Sequence, residues 1–226
     1  MINLTQYLKE NTYPGRGILI GKSENGEIAT AYFIMGRSEN SRNRIFLKTN
    51  DGVATTAFDE SKLSDPSLVI YRPVRELFGN LIITNGDQTD TIASFLNQNQ
   101  TFEAALLTRD YEPDPPIFTP RISGIINDNG FKLSILKKDN FSEASSRYFF
   151  EYPFSTGFGK LIHTYDGDGS PVPSFTGEPR SVAIKGGIES FTSLLWNSLN
   201  PENKVALYVR FGNEVKIVNK LGKIQI

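Results

Sequence analysis

Apolar positions along the chain fall mostly in short β-branched or aromatic runs broken by Asn, Asp and Gly. Gly17–Gly21 (GILIG) and Ile28–Met35 (IATAYFIM) flank Ser23-Glu24-Asn25-Gly26. An Asn-Gly pair between two such runs is a strong local signal for a β-hairpin. Asn43–Thr49 and Val53–Phe58 repeat the arrangement around Asn50-Asp51-Gly52, and Arg121–Asn127 and Phe131–Lys137 repeat it around Asp128-Asn129-Gly130. Leu68–Tyr71 and Asn80–Thr84 read as a further pair, Lys160–Tyr165 as a single strand, and Val205–Phe211 with Glu214–Val218 as closing strands. Repeated hairpins of this kind predict a large antiparallel sheet system.

Helical spacing is rarer. Asp87–Asn97 carries Ile92, Phe95 and Leu96 on one stripe, with Asp87 or Thr89 as the expected cap. Thr101–Thr108 is short and apolar, and Gly187–Leu199 sets Ile188, Phe191, Leu194, Leu195 and Leu199 at helical intervals. The order is strands, two helices, strands, one helix, strands. It predicts an α+β domain with two layers of sheet and helices packed outside them. Two stretches belong to neither class. Asp110–Pro120 (DYEPDPPIFTP) and Tyr165–Pro179 (YDGDGSPVPSFTGEP) are too rich in proline for a sheet or helix interior. Long ordered loops of this type commonly carry sites, and rigid surface connection is the alternative.

Composition then narrows the chemistry. With 226 residues, 38% hydrophobic and 22% charged, the chain can bury a sizeable core. Its net charge of −1 lacks the basic excess that coating a nucleic acid requires. There is no cysteine, which excludes disulfides, thiolate catalysis and Cys-based zinc sites. The single histidine, His163, excludes any site with two imidazoles, and its strand position favours a packing role over that of a base. No apolar run approaches the ~20 residues of a membrane span, and the N-terminal segment lacks the apolar core of a signal peptide. A soluble cytoplasmic protein is expected.

Familiar fingerprints are missing. Tyr13-Pro14-Gly15-Arg16-Gly17 has neither P-loop nor dinucleotide spacing. Asp166-Gly167-Asp168-Gly169-Ser170 begins like a calcium loop, but Pro171 and Gly177 stand where an EF-hand needs Gly and Glu, so a turn-rich loop is expected and no metal. Arginines stand out instead. Arg16, Arg37, Arg42 and Arg121 each sit beside Gly, Ser or Pro at an apparent strand end. Guanidinium forks bind phosphate bidentately and keep their charge, so their convergence would suit an anionic small molecule. Tyr71, Asn85 and Glu112 form a second group. Asn85-Gly86 ends a strand just before a helix. Glu112 lies between Asp110 and Asp114, and carboxylates buried together raise one another's proton affinity. A solvated acidic loop is the other interpretation of that spacing.

Taken in order, Tyr13-Pro14-Gly15-Arg16-Gly17, Arg37-Ser38 with Arg42, Thr84-Asn85-Gly86-Asp87-Gln88-Thr89-Asp90-Thr91-Ile92, and Asp110-Tyr111-Glu112 with Asp114 and Thr119-Pro120-Arg121-Ile122 resemble the archaeal-type IMP cyclohydrolases. The likeness runs over residues 13–137. It departs from the family pattern at Glu39-Asn40-Ser41, and residues 1–12 form an extension to one domain spanning 1–226. The resemblance implies a four-layer αββα sandwich similar to the N-terminal-nucleophile hydrolases. It also implies closure of 5-formamidoimidazole-4-carboxamide ribonucleotide to inosine monophosphate, without metal or cofactor.

For that reaction, side-chain chemistry makes Glu112, Tyr71 and Arg37 the expected catalytic residues. Arg16, Arg42, Asn85, Gly86, Asp90 and Arg121 are the expected substrate contacts. Arg37 and Arg42 are the first choices for holding the 5′-phosphate or orienting the formyl oxygen. Tyr71 would donate to that oxygen, Glu112 would manage the carboxamide proton or the departing water, and Asn85 would bond the ring substituents. The expected partner is a purine nucleotide, with no nucleic acid and no membrane, and a homo-oligomer is left open. A non-catalytic nucleotide-binding protein and a hydrolase of another amide on the same scaffold are the competing functions.

Overall fold

The computed structural model describes residues 1–62 and 70–222. Its strands form two antiparallel sheets. The chain opens with helix α1 (Leu4–Glu10), then the hairpin β1 (Arg16–Lys22) and β2 (Ile28–Met35). A single turn of helix, α2 (Glu39–Arg42), leads into β3 (Arg44–Thr49), β4 (Gly52–Ala57), β5 (Val74–Leu77) and β6 (Asn80–Thr84). Helices α3 (Gln88–Asn97) and α4 (Phe102–Leu107) follow, then β7 (Arg121–Asn127), β8 (Gly130–Lys138), β9 (Ser145–Tyr152), β10 (Phe158–His163) and β11 (Arg180–Ala183). Helix α5 (Ile188–Ser198) and the hairpin β12 (Lys204–Phe211) and β13 (Glu214–Asn219) close the described chain.

The first sheet runs β11-β10-β1-β2-β12-β13, and the second is a meander from β3 to β9 with each strand beside its chain neighbour. Side-chain alternation explains the layering, because successive residues of a strand face opposite ways. Ile18 and Ile20 of β1 and Tyr32 and Ile34 of β2 point to the second sheet, where they join Phe46, Ile83, Ile122 and Leu133. Leu19, Ala31 and Phe33 point the other way, against Leu4 and Leu8 of α1 and Phe191 and Leu195 of α5. On the far side, Ile82 and Ile125 meet Ile92 of α3 and Phe102 and Leu106 of α4. The result is helix, sheet, sheet, helix. At Gly124 a Cβ would stand 2.7 Å from Ile20 Cδ1, so the missing side chain is what lets the facing sheet pack there.

The three turn-marked hairpins stand as the sequence predicts. Leu68 and Val69 of the expected strand Leu68–Tyr71 lie outside the described residues, and the partner of Asn80–Thr84 is Val74–Leu77, through Val74 opposite Ile83. Four elements carry no clear sequence signal: α1, α2, β9 and β11. Residues 1–12, taken as an extension, include α1, whose Leu4 and Leu8 belong to the buried core. Among the described residues, no helix is long and apolar enough to cross a membrane.

Candidate active site

Both sheets expose loops at one end, and the arginines gather there. Arg16 begins β1, Arg37 follows β2, Arg44 begins β3, and Arg121 begins β7. At this end lie two adjoining cavities, the two lobes of the candidate site. The larger lobe, about 300 Å³, is walled by Tyr13, Arg16, Arg37, Arg44, Ile117 and Tyr165 among others. The smaller, about 70 Å³, is walled by Arg16, Tyr71, Asn85, Gly86, Asp87 and Glu112. Arg16, Asp114 and Thr119 border both lobes.

The larger lobe is cationic and aromatic. Arg44 is only 1% exposed; its Nε donates to Ser41 O at 2.8 Å, while Nη2 has no partner among the described residues. Arg16 Nε is likewise buried and unpartnered. Burial, and then the neighbouring charge of Arg16, push the Arg44 guanidinium below its ordinary value. Arg44 is a buried cation with no ion-paired carboxylate among the described residues, which is costly, and an anion in the lobe would relieve it. Tyr13 and Tyr165 stack with ring centres 5.6 Å apart, and the Arg37 guanidinium lies 4.9 Å over the Tyr13 ring. Arg37 Nη1 donates to Asp168 Oδ1 at 2.5 Å, tying the Tyr165–Pro179 loop over the mouth. Asp166, the other carboxylate of the Asp-Gly-Asp run, accepts from Thr176 N and Oγ1 at 2.8 and 2.9 Å, so it holds the loop together.

The smaller lobe holds the proton chemistry. Burial raises the proton affinity of Glu112 above that of an ordinary carboxyl, against the opposing pull of Arg121 and Arg16. Tyr71 is buried in the wall of the same lobe, its hydroxyl 2.8 Å from that of Tyr32. Thr55 fixes its backbone: Thr55 N donates to Tyr71 O at 2.9 Å, and Tyr71 N donates to Thr55 Oγ1 at 3.0 Å. Asp114 accepts from Thr119 N and Oγ1 at 2.7 and 2.6 Å, and Tyr165 Oη lies 2.7 Å from the same threonine oxygen, which joins the two proline-rich loops.

Of the residues expected from sequence, Arg16, Tyr71, Asn85, Gly86 and Glu112 come together in the smaller lobe. Arg37 stands in the larger lobe, away from Tyr71 and Glu112. Arg42 faces elsewhere: its Nε donates to Gly36 O and its Nη2 to Asn203 Oδ1, both at 3.0 Å, so it ties α2 to the start of β12. Asp90 is on the exposed face of α3, paired with Arg75 at 3.2 Å. Arg121 sits behind the wall, bonded to Asp87, Gln88 and the Asp110 carbonyl. The Asn85 side chain is largely spent on structure; its Nδ2 donates to Pro120 O and its Oδ1 accepts from Ile122 N, each at 2.9 Å. Arg44 is absent from the arginines the sequence singles out, although an arginine opening the strand Asn43–Thr49 is the same signal that marks Arg121. His163 is fully buried, 2.7 Å from the Tyr7 hydroxyl, and burial lowers its pKa to about 3, so it packs as a neutral ring.

A sequence model of the family described as IMP cyclohydrolase-like protein matches residues 13–216. The chain belongs to that family. The IMP cyclohydrolase of Methanopyrus kandleri is 32% identical over 167 residues, covering 72% of this chain and 79% of that protein. Those of Methanococcus aeolicus and Methanocella arvoryzae are 27% and 28% identical over 158 residues, covering 68% of this chain and 74% of each relative. The family match begins at Tyr13, the residue whose ring lines the larger lobe, and α1 precedes it.

Proposed function

We propose that this protein closes the ring of 5-formamidoimidazole-4-carboxamide ribonucleotide, with loss of water, to give inosine monophosphate. The carboxamide nitrogen attacks the formyl carbon, a carbinolamine forms, and the C–O bond then breaks. Both reacting groups sit on one imidazole, so much of the proximity advantage is intrinsic. What remains for the protein is to hold one rotamer, stabilise the developing oxygen charge and move protons.

The two lobes divide that work. Arg16, Arg37 and Arg44 receive the 5′-phosphate in the larger lobe, and the imidazole reaches into the smaller one. The Tyr71 hydroxyl donates to the formyl oxygen as charge develops on it. Glu112 takes a proton from the carboxamide nitrogen as the N–C bond forms. It passes that proton to the oxygen to give the carbinolamine hydroxyl, then takes the hydrogen of the former formamido nitrogen and delivers it to that hydroxyl as water leaves and the C=N bond forms. Protons balance over the cycle, so one carboxyl suffices. A positioned acid–base group contributes roughly 10²–10⁴-fold and an oxyanion donor about 10²–10³-fold.

The observation that carries this proposal is a half-buried carboxyl of raised proton affinity that lines the same lobe as Tyr71, next to a lobe walled by unpartnered guanidinium groups. The test is a ring-closure assay on purified protein, followed by the absorbance of the purine, with and without EDTA. Turnover indifferent to EDTA is expected. Glu112→Gln is expected to lose at least ~10²-fold in kcat while binding inosine monophosphate within about threefold of the parent. Full activity in that variant would remove Glu112 from the mechanism.

A further inference from the structure

Asp87 occupies the N-cap position of α3, where an aspartate ordinarily accepts a hydrogen bond from the first helical turn. Here it makes none. Its carboxylate turns instead to two arginines: Oδ1 accepts from Arg121 Nη1 at 2.7 Å and from Arg109 Nη2 at 2.5 Å. Burial opposes its charge, yet the Arg109 and Arg121 guanidiniums hold Asp87 below the usual carboxylate range, so it is anionic.

The contact matters because of what stands on the other side of Arg121. The Nη1 nitrogen carries two hydrogens. One goes to Asp87 and the other to Gln88 Oε1 at 2.8 Å. Glu112 Oε1 lies 3.0 Å from the same nitrogen and receives neither. Arg121 is pinned further by Nε, which donates to Asp110 O at 2.8 Å, so it cannot swing toward Glu112 without breaking three bonds. Glu112 thus feels the positive charge without a hydrogen bond that would fix it as a carboxylate.

We propose that Asp87 is a positioning residue for Glu112: by taking the Arg121 proton that Glu112 would otherwise accept, it leaves that carboxyl free to exchange a proton with substrate. The charged groups facing Glu112 are Arg121 from β7, Arg16 from β1, Asp114 from its own loop and Asp87 from the entry to α3, and burial is the largest influence on it. Of these, only Asp87 shares the Arg121 nitrogen. Removing its charge gives Arg121 back to Glu112 and makes Glu112 more acidic; removing Arg109, which partly neutralises Asp87, does the opposite.

The proposal rests on the ring-closure activity proposed above, and its test is arranged so the two fail separately. In Asp87→Asn, the acidic limb of the kcat profile is expected to move to lower pH by about half a unit or more. The neutral-pH kcat is expected to fall ~10-fold, with KM within about twofold. Asp87→Glu is expected to restore the limb, and Arg109→Met to move it to higher pH. The Glu112 carboxyl band in the infrared, identified by its loss in Glu112→Gln, is expected to titrate with the same shifts whether or not the protein turns over. Absent turnover in the parent overturns the activity. An infrared titration unmoved in both Asp87→Asn and Arg109→Met overturns the role of Asp87.

Discussion

Arg16 and Arg44 bring two guanidinium groups to the wall of one cavity, and each keeps a buried nitrogen without a partner among the described residues. The unliganded fold therefore carries an electrostatic cost that an anion removes. Arg44→Met keeps the volume and deletes the charge. It is expected to stabilise the free protein by about 1–3 kcal/mol in denaturant melts while weakening inosine monophosphate about 10–100-fold by calorimetry. A destabilised variant of unchanged affinity would show that Arg44 serves the fold alone.

Gly86 is where the turn before α3 passes closest to the proton-handling groups. A Cβ there would lie 2.7 Å from Gln88 Oε1, 2.9 Å from Arg121 Nη1 and 3.0 Å from Glu112 Oε1. Gln88 Oε1 and Arg121 Nη1 are held by each other, whereas Glu112 has no hydrogen bond to either, so the methyl displaces the carboxyl. Gly86→Ala is expected to reduce kcat by about 10²-fold with little change in nucleotide affinity. Stopped-flow and binding measurements on the same preparation separate the two effects, and an unchanged kcat would show that the cluster yields freely.

His163 sets a pH dependence of stability. Its ring is neutral in the fold down to about pH 3, whereas an exposed histidine titrates near 6.5. Above pH 6.5 both states are neutral and the residue contributes no pH dependence. Between 6.5 and about 3 the unfolded chain binds the extra proton, so stability falls as pH falls, by up to ~1.4 kcal/mol per pH unit from this group. His163→Gln is expected to flatten the Tm profile between pH 6.5 and 4.5. Parallel profiles for the two proteins would contradict the buried neutral ring.

Asp168 competes for Arg37 at the mouth of the cavity. The two side chains are 34% and 39% exposed, so their pairing contributes little to stability, ~1 kcal/mol or less. Asp168→Ala is expected to leave Tm nearly unchanged and to tighten inosine monophosphate about two- to fivefold at low salt, with the gain shrinking as salt rises. Weaker binding in the variant would mean that Arg37 needs Asp168 for its orientation.

Much of this architecture could be read from the chain, because hairpins and amphipathic helices write their signal locally. Asn25-Gly26 and the stripe of Ile188, Phe191 and Leu195 are examples. The missed elements lack such a signal. β9 is an edge strand whose side chains are half-buried on both faces, β11 has four residues, and α2 is one polar turn closed by reciprocal Ser38 and Ser41 bonds. The site divides the same way. Glu112 and Tyr71 follow from the kind of chemistry their side chains perform. Arg42, Asp90 and Arg121 carry the same side-chain chemistry as the residues lining the two lobes but face Asn203, Arg75 and Asp87, which only tertiary packing decides. Asp87, expected to cap α3, forgoes the cap for two arginines, a choice invisible to spacing rules.

The two sheets differ in how far the chain must travel to build them. From β3 to β9 each strand closes on its predecessor, a run of local steps. The other sheet needs Gly17 to find His163 and Met35 to find Lys204, and the Arg16 amide reaches a hydroxyl 148 residues away. Loop closure of that length is slow and comes late in folding. The pocket straddles this seam, so nucleotide affinity is acquired only in the final assembly step, and a bound nucleotide acts as a clasp between early and late segments of the polypeptide.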